Sequence, residues 1–95
     1  MTLPVVVSER AAREIDAACV QYAQHGRAEA FIGSLDRAFE RMSQRPLMFP
    51  VVYDTVRRAL LRRFPYSAFF VVEDAHVVVL AVNHQRSDPG NRPRL

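Results

Sequence analysis

The sequence has no lysine and no tryptophan, a single cysteine and only three glycines. Each shortage excludes something. One cysteine allows neither an internal disulfide nor a cysteine-based zinc site. Gly26, Gly33 and Gly90 are isolated, so no glycine loop can cradle a phosphate. No apolar run approaches the ~20 residues of a membrane span. The start, MTLPVVVSER, lacks the basic region and long apolar stretch of a secretory signal. The expected setting is therefore the reducing cytoplasm. Without lysine, all thirteen basic residues are arginine. A guanidinium holds its proton near neutral pH, so it clamps anions but does not act as a general base. Proton transfer would fall to His, Asp, Glu, Tyr or Cys19. His25, His76 and His84 show no metal-ligand spacing, so neither a metal nor another cofactor is expected.

What is present suits one small domain spanning 1–95. The chain is 49% hydrophobic and 24% charged, which supports one modest core. The net charge of +3 permits a nucleic-acid or acidic-protein partner without demanding either.

Three adjacent β-branched residues, Val5 to Val7, favour a strand, with Pro4 near its start. Ser8 is placed to cap a helix and Glu9 to meet its positive end. From Glu9 to about His25, Ala11, Ile15, Ala18, Cys19, Tyr22 and Ala23 form one apolar stripe at helical spacing. Cys19 therefore reads as core. Gly26 stops this helix. Ala28, Phe31, Ile32, Leu35, Phe39 and Met42 form a second stripe, ended by Pro46, and Pro50 keeps the next stretch irregular. Helices so closely joined form an antiparallel hairpin.

The remainder reads as strands: Thr55 to Leu61, Tyr66 to Glu73, and His76 to His84. Asp74 and Ala75 make a tight turn between the last two. The expected fold is α+β, β-α-α-β-β-β, with the helical hairpin on one face of a mostly antiparallel sheet. Residues 90–95 have no apolar anchor inside the run and are expected to fray.

Strict alternation puts Tyr66, Ala68, Phe70 and Val72 on one face and Phe69 and Val71 on the other. In the last strand it groups Val78, Leu80 and Val82 against Val77, Val79 and Ala81. Strands apolar on both sides want cover on both sides, and two helices cover only one. An apolar face is left for a partner or a second copy. The alternative is that Leu47, Met48 and Phe49 fold over it.

Two clusters could carry chemistry. Arg57, Arg58, Arg62 and Arg63 crowd one strand, which suits phosphates or a partner's carboxylates, or else a charged edge that discourages aggregation. His84 and Arg86 share a parity, so an acid–base group could stand beside a phosphate clamp, or His84 simply ends its strand before an Asp88-Pro89 turn. Tyr53 and Tyr66 flank the arginine strand and could stack or donate a hydrogen bond, or serve as cover for a core edge.

The block VRRALLRRFPYSAFFVVEDAHVVVLAVNHQRSDP, Val56 to Pro89, resembles the C-terminal half of RelE/ParE-superfamily toxins. The paired-Arg strand, Phe-Pro-Tyr, the acidic turn and a valine-rich strand ending in His-x-Arg-x-Asp-Pro occur there in that order. The first strand and helical hairpin extend the match over residues 3 to 89. The resemblance implies the toxin of a type II toxin–antitoxin pair, neutralised by a cognate antitoxin in a dimer or hetero-oligomer. RelE-like members cleave mRNA on the ribosome without a metal. ParE-like members inhibit DNA gyrase. If this chain were a ribonuclease, His84, Arg86, Arg58 and Tyr66 would be its catalytic set. Antitoxin or target would meet Arg57, Arg58, Arg62, Arg63, Tyr66 and Arg86. The cleaving branch commonly has an Arg directly after the Tyr66 position, and here Ser67 stands. It also often ends in a catalytic aromatic or His, and neither follows Asp88. The resemblance therefore leans to the ParE-like side, with a member of little or no toxicity as a third reading.

Overall fold

The structure, a computed structural model, describes residues 2–86 and residue 93. Strand β1 (Val5–Val7) leads into helices α1 (Glu9–Ala23) and α2 (Ala28–Gln44). A single 3-10 turn, Pro46–Met48, then precedes β2 (Val51–Tyr53), β3 (Val56–Leu60), β4 (Tyr66–Glu73) and β5 (His76–His84). The sheet order is β1-β5-β4-β3-β2. Among the described residues only the β1–β5 pairing is parallel.

The α+β architecture is the expected one, with one strand added. The stretch after Pro50 forms β2 rather than staying irregular, so the order is β-α-α-β-β-β-β. Its geometry is held from β3. The Arg58 amide donates to the Pro50 carbonyl at 3.1 Å. The Arg57 guanidinium donates to the carbonyls of Leu47 and Phe49 at 3.3 and 2.6 Å. Asp54 closes the turn into β3 at φ 45°, a conformation that Asp tolerates better than most residues.

Ser8 caps α1 as its residue type suggests: its Oγ accepts the Ala11 amide at 3.1 Å. The same hydroxyl donates to the Leu80 carbonyl at 3.0 Å, which ties the helix start to β5. Gly26, at φ 67°, reverses the chain after α1. At the sheet edge, Ser43 near the end of α2 occupies both backbone groups of Leu3. Its carbonyl accepts the Leu3 amide at 2.9 Å and its hydroxyl donates to the Leu3 carbonyl at 2.6 Å.

The main core lies between hairpin and sheet. Phe31, Leu35, Ala38 and Met42 of α2 meet Ala59, Tyr66, Ala68, Phe70, Val77, Val79 and Val82 of the strands. Cys19 packs against this cluster half-buried, as its place on the α1 stripe suggests. Removing a ring such as Phe31 would cost about 3–5 kcal/mol.

The alternation expected for β5 fails at one point. Phe69 opposes Ala81, yet Phe70 opposes Val79, so Leu80 is an extra residue in a β-bulge. The bulge returns Val82 to the helix side with Val77 and Val79, and puts Ala81 on the opposite side with Val78 and Leu80. Helix α1 satisfies the disturbed backbone. Ser8 takes the Leu80 carbonyl, the Ser8 amide donates to the Val79 carbonyl at 2.9 Å, and the Glu14 carboxylate accepts the Val82 amide at 2.9 Å.

The face away from the helices also departs from expectation. Its centre is not open: Val56, Phe69, Val71 and Ala81 are buried there, with Val52, Tyr53, Val78 and Leu80 half-buried around them. Pro93 is buried too, and its carbonyl accepts the Tyr53 hydroxyl. Leu47, Met48 and Phe49 do not provide the cover. Phe49 packs edge-on against Phe70 on the helix side at 5.6 Å, while Leu47 and Met48 are exposed. Of the tail expected to fray, only Pro93 is among the described residues; the rest of 90–95 lies outside them.

Candidate functional site

The candidate residues gather at one end of the sheet, where β3 passes to β4 and β5 ends. The connecting loop, residues 61–65, is pinned at several points. Buried Ser34 of α2 donates its hydroxyl to the Arg62 carbonyl at 2.7 Å. The Leu61 amide donates to the Tyr66 carbonyl at 3.0 Å, and the Gln85 amide to the Pro65 carbonyl at 2.8 Å. Phe64 is buried edge-on to Tyr22 at 5.0 Å and to Phe31 at 5.4 Å. The backbone is thereby fixed while Arg62 and Arg63 stay exposed. Arg63 holds φ 70°, where a residue with a Cβ is strained.

Tyr66 and His84 face each other across β4 and β5, with ring centroids 5.4 Å apart. The His84 Nδ1 accepts the Arg86 amide at 3.0 Å, which leaves that nitrogen without a proton in this arrangement. Burial, with a smaller contribution from Tyr22, pushes the Tyr66 phenol above its ordinary value. Tyr66 is thus a neutral hydrogen-bonding group at neutral pH. Arg27, which precedes α2, lies over the Phe64 ring at 4.8 Å from its centroid.

The structure brings Tyr66, His84, Arg86, Arg62 and Arg63 to one end and leaves two arginines elsewhere. Arg57 is on the helix side and is engaged with the Leu47 and Phe49 carbonyls. Arg58 opposes Phe69, so it belongs to the other face, three residues along the ladder from the Tyr66–His84 pair. That is ~10 Å of strand as well as the thickness of the sheet. Ser67 is 3% exposed and opposes Leu60 across β3 and β4. Sequence reasoning missed Ser34 and Arg27. Ser34 follows Phe31 by one helical turn on the buried stripe, and that spacing was its only signal.

Among the described residues, ion pairs join Arg10 to Glu14 and Arg13 to Glu9, both within α1. No group of three His, Cys, Asp or Glu among them could hold a metal. No helix among them is long and apolar enough to cross a membrane. Burial, aided by Asp16, raises the Cys19 thiol above its ordinary value, so it is no ready nucleophile.

A helical hairpin on a small mixed sheet, with arginines and a Tyr–His pair at the strand ends, defines a compact α+β class of protein. The family model of the ParE toxin of type II toxin–antitoxin systems, parDE, matches residues 5–89. The chain belongs to that family. It is similar in structure to a chain of the chromosomal ParDE toxin–antitoxin system from P. aeruginosa. That match has a TM-score of 0.76 and 20% identity, and covers 87% of this chain and 96% of the other. It is also similar to a chain of the RelBE2 toxin–antitoxin complex from Mycobacterium tuberculosis. There the TM-score is 0.55, identity is 21%, and coverage is 88% and 99%. No curated protein matches the chain.

Proposed function

We propose that this toxin acts in the ParE-like manner, inhibiting DNA gyrase and released or restrained by a cognate antitoxin in the cytoplasm. The observation that carries the reading is the division of the conditional catalytic set. Tyr66, His84 and Arg86 lie together, whereas Arg58 belongs to the other face. Ribonuclease chemistry asks a cation and an acid–base group to meet one phosphate within hydrogen-bond reach. Buried Ser67 adds support, because it stands where the cleaving branch commonly has Arg. The competing ribonuclease reading draws on the Tyr66–His84 contact beside Arg86.

The antitoxin would supply apolar side chains to exposed Leu47, Met48 and Val51, and carboxylates to neighbouring guanidiniums such as Arg45 and Arg57. Ordering such a segment costs free energy that apolar burial offsets. The deciding experiment assays gyrase supercoiling and ribosome-bound mRNA side by side with the purified toxin. Loss of supercoiling with intact mRNA supports the ParE-like reading, and defined mRNA cuts with unaffected gyrase overturn it.

A further inference from the structure

The turns at the two ends of the sheet carry charges of opposite sign. The β2–β3 and β4–β5 turns, at one end, carry Asp54, Glu73 and Asp74. The β3–β4 loop and the end of β5, at the other, carry Arg62, Arg63 and Arg86. Arg27 joins them by lying over Phe64 in that loop. All four arginines are exposed, and among the described residues none is within ion-pair distance of a carboxylate. Like charges held together without counter-charges repel, and a fixed loop cannot relieve this by spreading. The loop is fixed by Ser34, Tyr66 and Gln85, and it keeps Arg63 at φ 70° where glycine would be unstrained.

The character of the patch separates phosphates from a protein surface. A protein interface needs exposed apolar groups at its centre. Here the aromatic groups lie beneath: Phe64 is 4% and Tyr66 9% exposed. Leu60, 50% exposed, ends β3 beside the loop but shares the strand parity of Arg58, on the face away from the helices, and exposed Leu47 and Met48 lie by the end of α2. Among the described residues no exposed aromatic ring stands ready to stack a base, so a sequence-reading or single-strand mode is not favoured. A patch of guanidiniums over a buried base matches recognition by charge alone, as a duplex backbone is recognised. We propose that Arg27, Arg62, Arg63 and Arg86 form a sequence-independent docking site for the phosphate backbone of duplex DNA. The site is independent of which activity the toxin has, because no cleavage is asked of it.

The test is fluorescence anisotropy with the whole purified chain and a mixed-sequence DNA duplex of about 20 base pairs, between about 50 and 200 mM salt. Three to four neutralised phosphates give a log–log salt slope of about −3 to −4. The test variant is Arg62→Gln with Arg63→Gly. Glycine suits φ 70°, so this variant keeps the loop and removes two charges. Its salt slope should shrink by about two. Arg13→Ala with Arg37→Ala removes as much charge from the helices and should leave most of the slope. A thermal melt of each variant confirms folding. Absence of duplex binding by the native chain at low salt overturns the proposal. So does an equal loss in the helix variant, which would mean net charge alone. A glutamate-rich peptide that binds through Arg62 and Arg63 where the duplex does not would reassign the patch to an acidic protein and also overturn it.

Discussion

The Glu14 carboxylate accepts the amide of Val82 at 2.9 Å, across a sequence separation of 68 residues. A helix side chain thereby completes the backbone of a strand at the point where a bulge breaks its ladder. Glu14→Ala leaves that amide without its partner in a half-buried setting. The expected cost is about 1–3 kcal/mol, seen as a lower urea midpoint. Glu14→Gln retains an acceptor oxygen and should recover most of it. Equal stability of Glu14→Ala and the native chain would contradict this role.

The β4–β5 turn holds Asp74 at φ 51° and Ala75 at φ 59°. Alanine is a poor occupant of the second position of such a turn. Ala75→Gly should therefore stabilise the fold by about 1 kcal/mol, set against the added freedom of the unfolded chain. The melting temperature should rise by roughly 4–8 °C if the full 1 kcal/mol is realised. A fall would show that the unfolded-state entropy dominates.

Burial holds the Tyr66 phenol above its ordinary value, with Tyr22 adding to the shift. The native state therefore binds this proton more tightly than the unfolded chain does. That contribution is complete below the unfolded value of about 10 and is lost as pH climbs through the higher folded value. Stability should decline in that alkaline window. Tyr66→Phe should flatten the decline, as measured by urea denaturation in a series of alkaline buffers. Cys19, also raised, adds to the decline and remains in the variant.

His84→Ala separates the two activities. Under gyrase inhibition no proton transfer is asked of the ring, and the half-maximal dose in a supercoiling assay should change little. Under RNA cleavage the same change should lower the rate ~10²–10⁴-fold if His84 is the acid or base. Arg86→Ala should then cost ~10²–10³. Single-turnover cleavage of ribosome-bound mRNA reads both.

Much of this fold was legible because its signals are local. The α1 and α2 stripes, the Ser8 cap and the β4–β5 hairpin each rest on neighbours within a few residues. Strand β2 was not legible, since three residues after Pro50 carry too little pattern, and their geometry comes from Arg57 and Arg58 on the next strand. The bulge was hidden for a related reason. An unbroken run from Val77 to Val82 shows no parity to violate, and the groups that stabilise the extra residue sit on α1. His84 and Tyr66 came together in the sequence only through the family resemblance; their contact is set by the β4–β5 register. The place of Arg27 over Phe64 depends on how the hairpin lies on the sheet, which periodicity does not specify.

The parallel pairing of β1 with β5 also sets a timetable. Ser8 and its acceptor Leu80 are 72 residues apart, and β5 lies between β1 and β4 in the sheet. At about 5–20 residues per second, ~4–14 s of synthesis separate the two ends of that bond. Until β5 emerges, the first strand has no strand to pair with, Glu14 lacks the Val82 amide, and the Tyr66–His84 pair does not exist. The sheet is therefore completed only once β5 has been made.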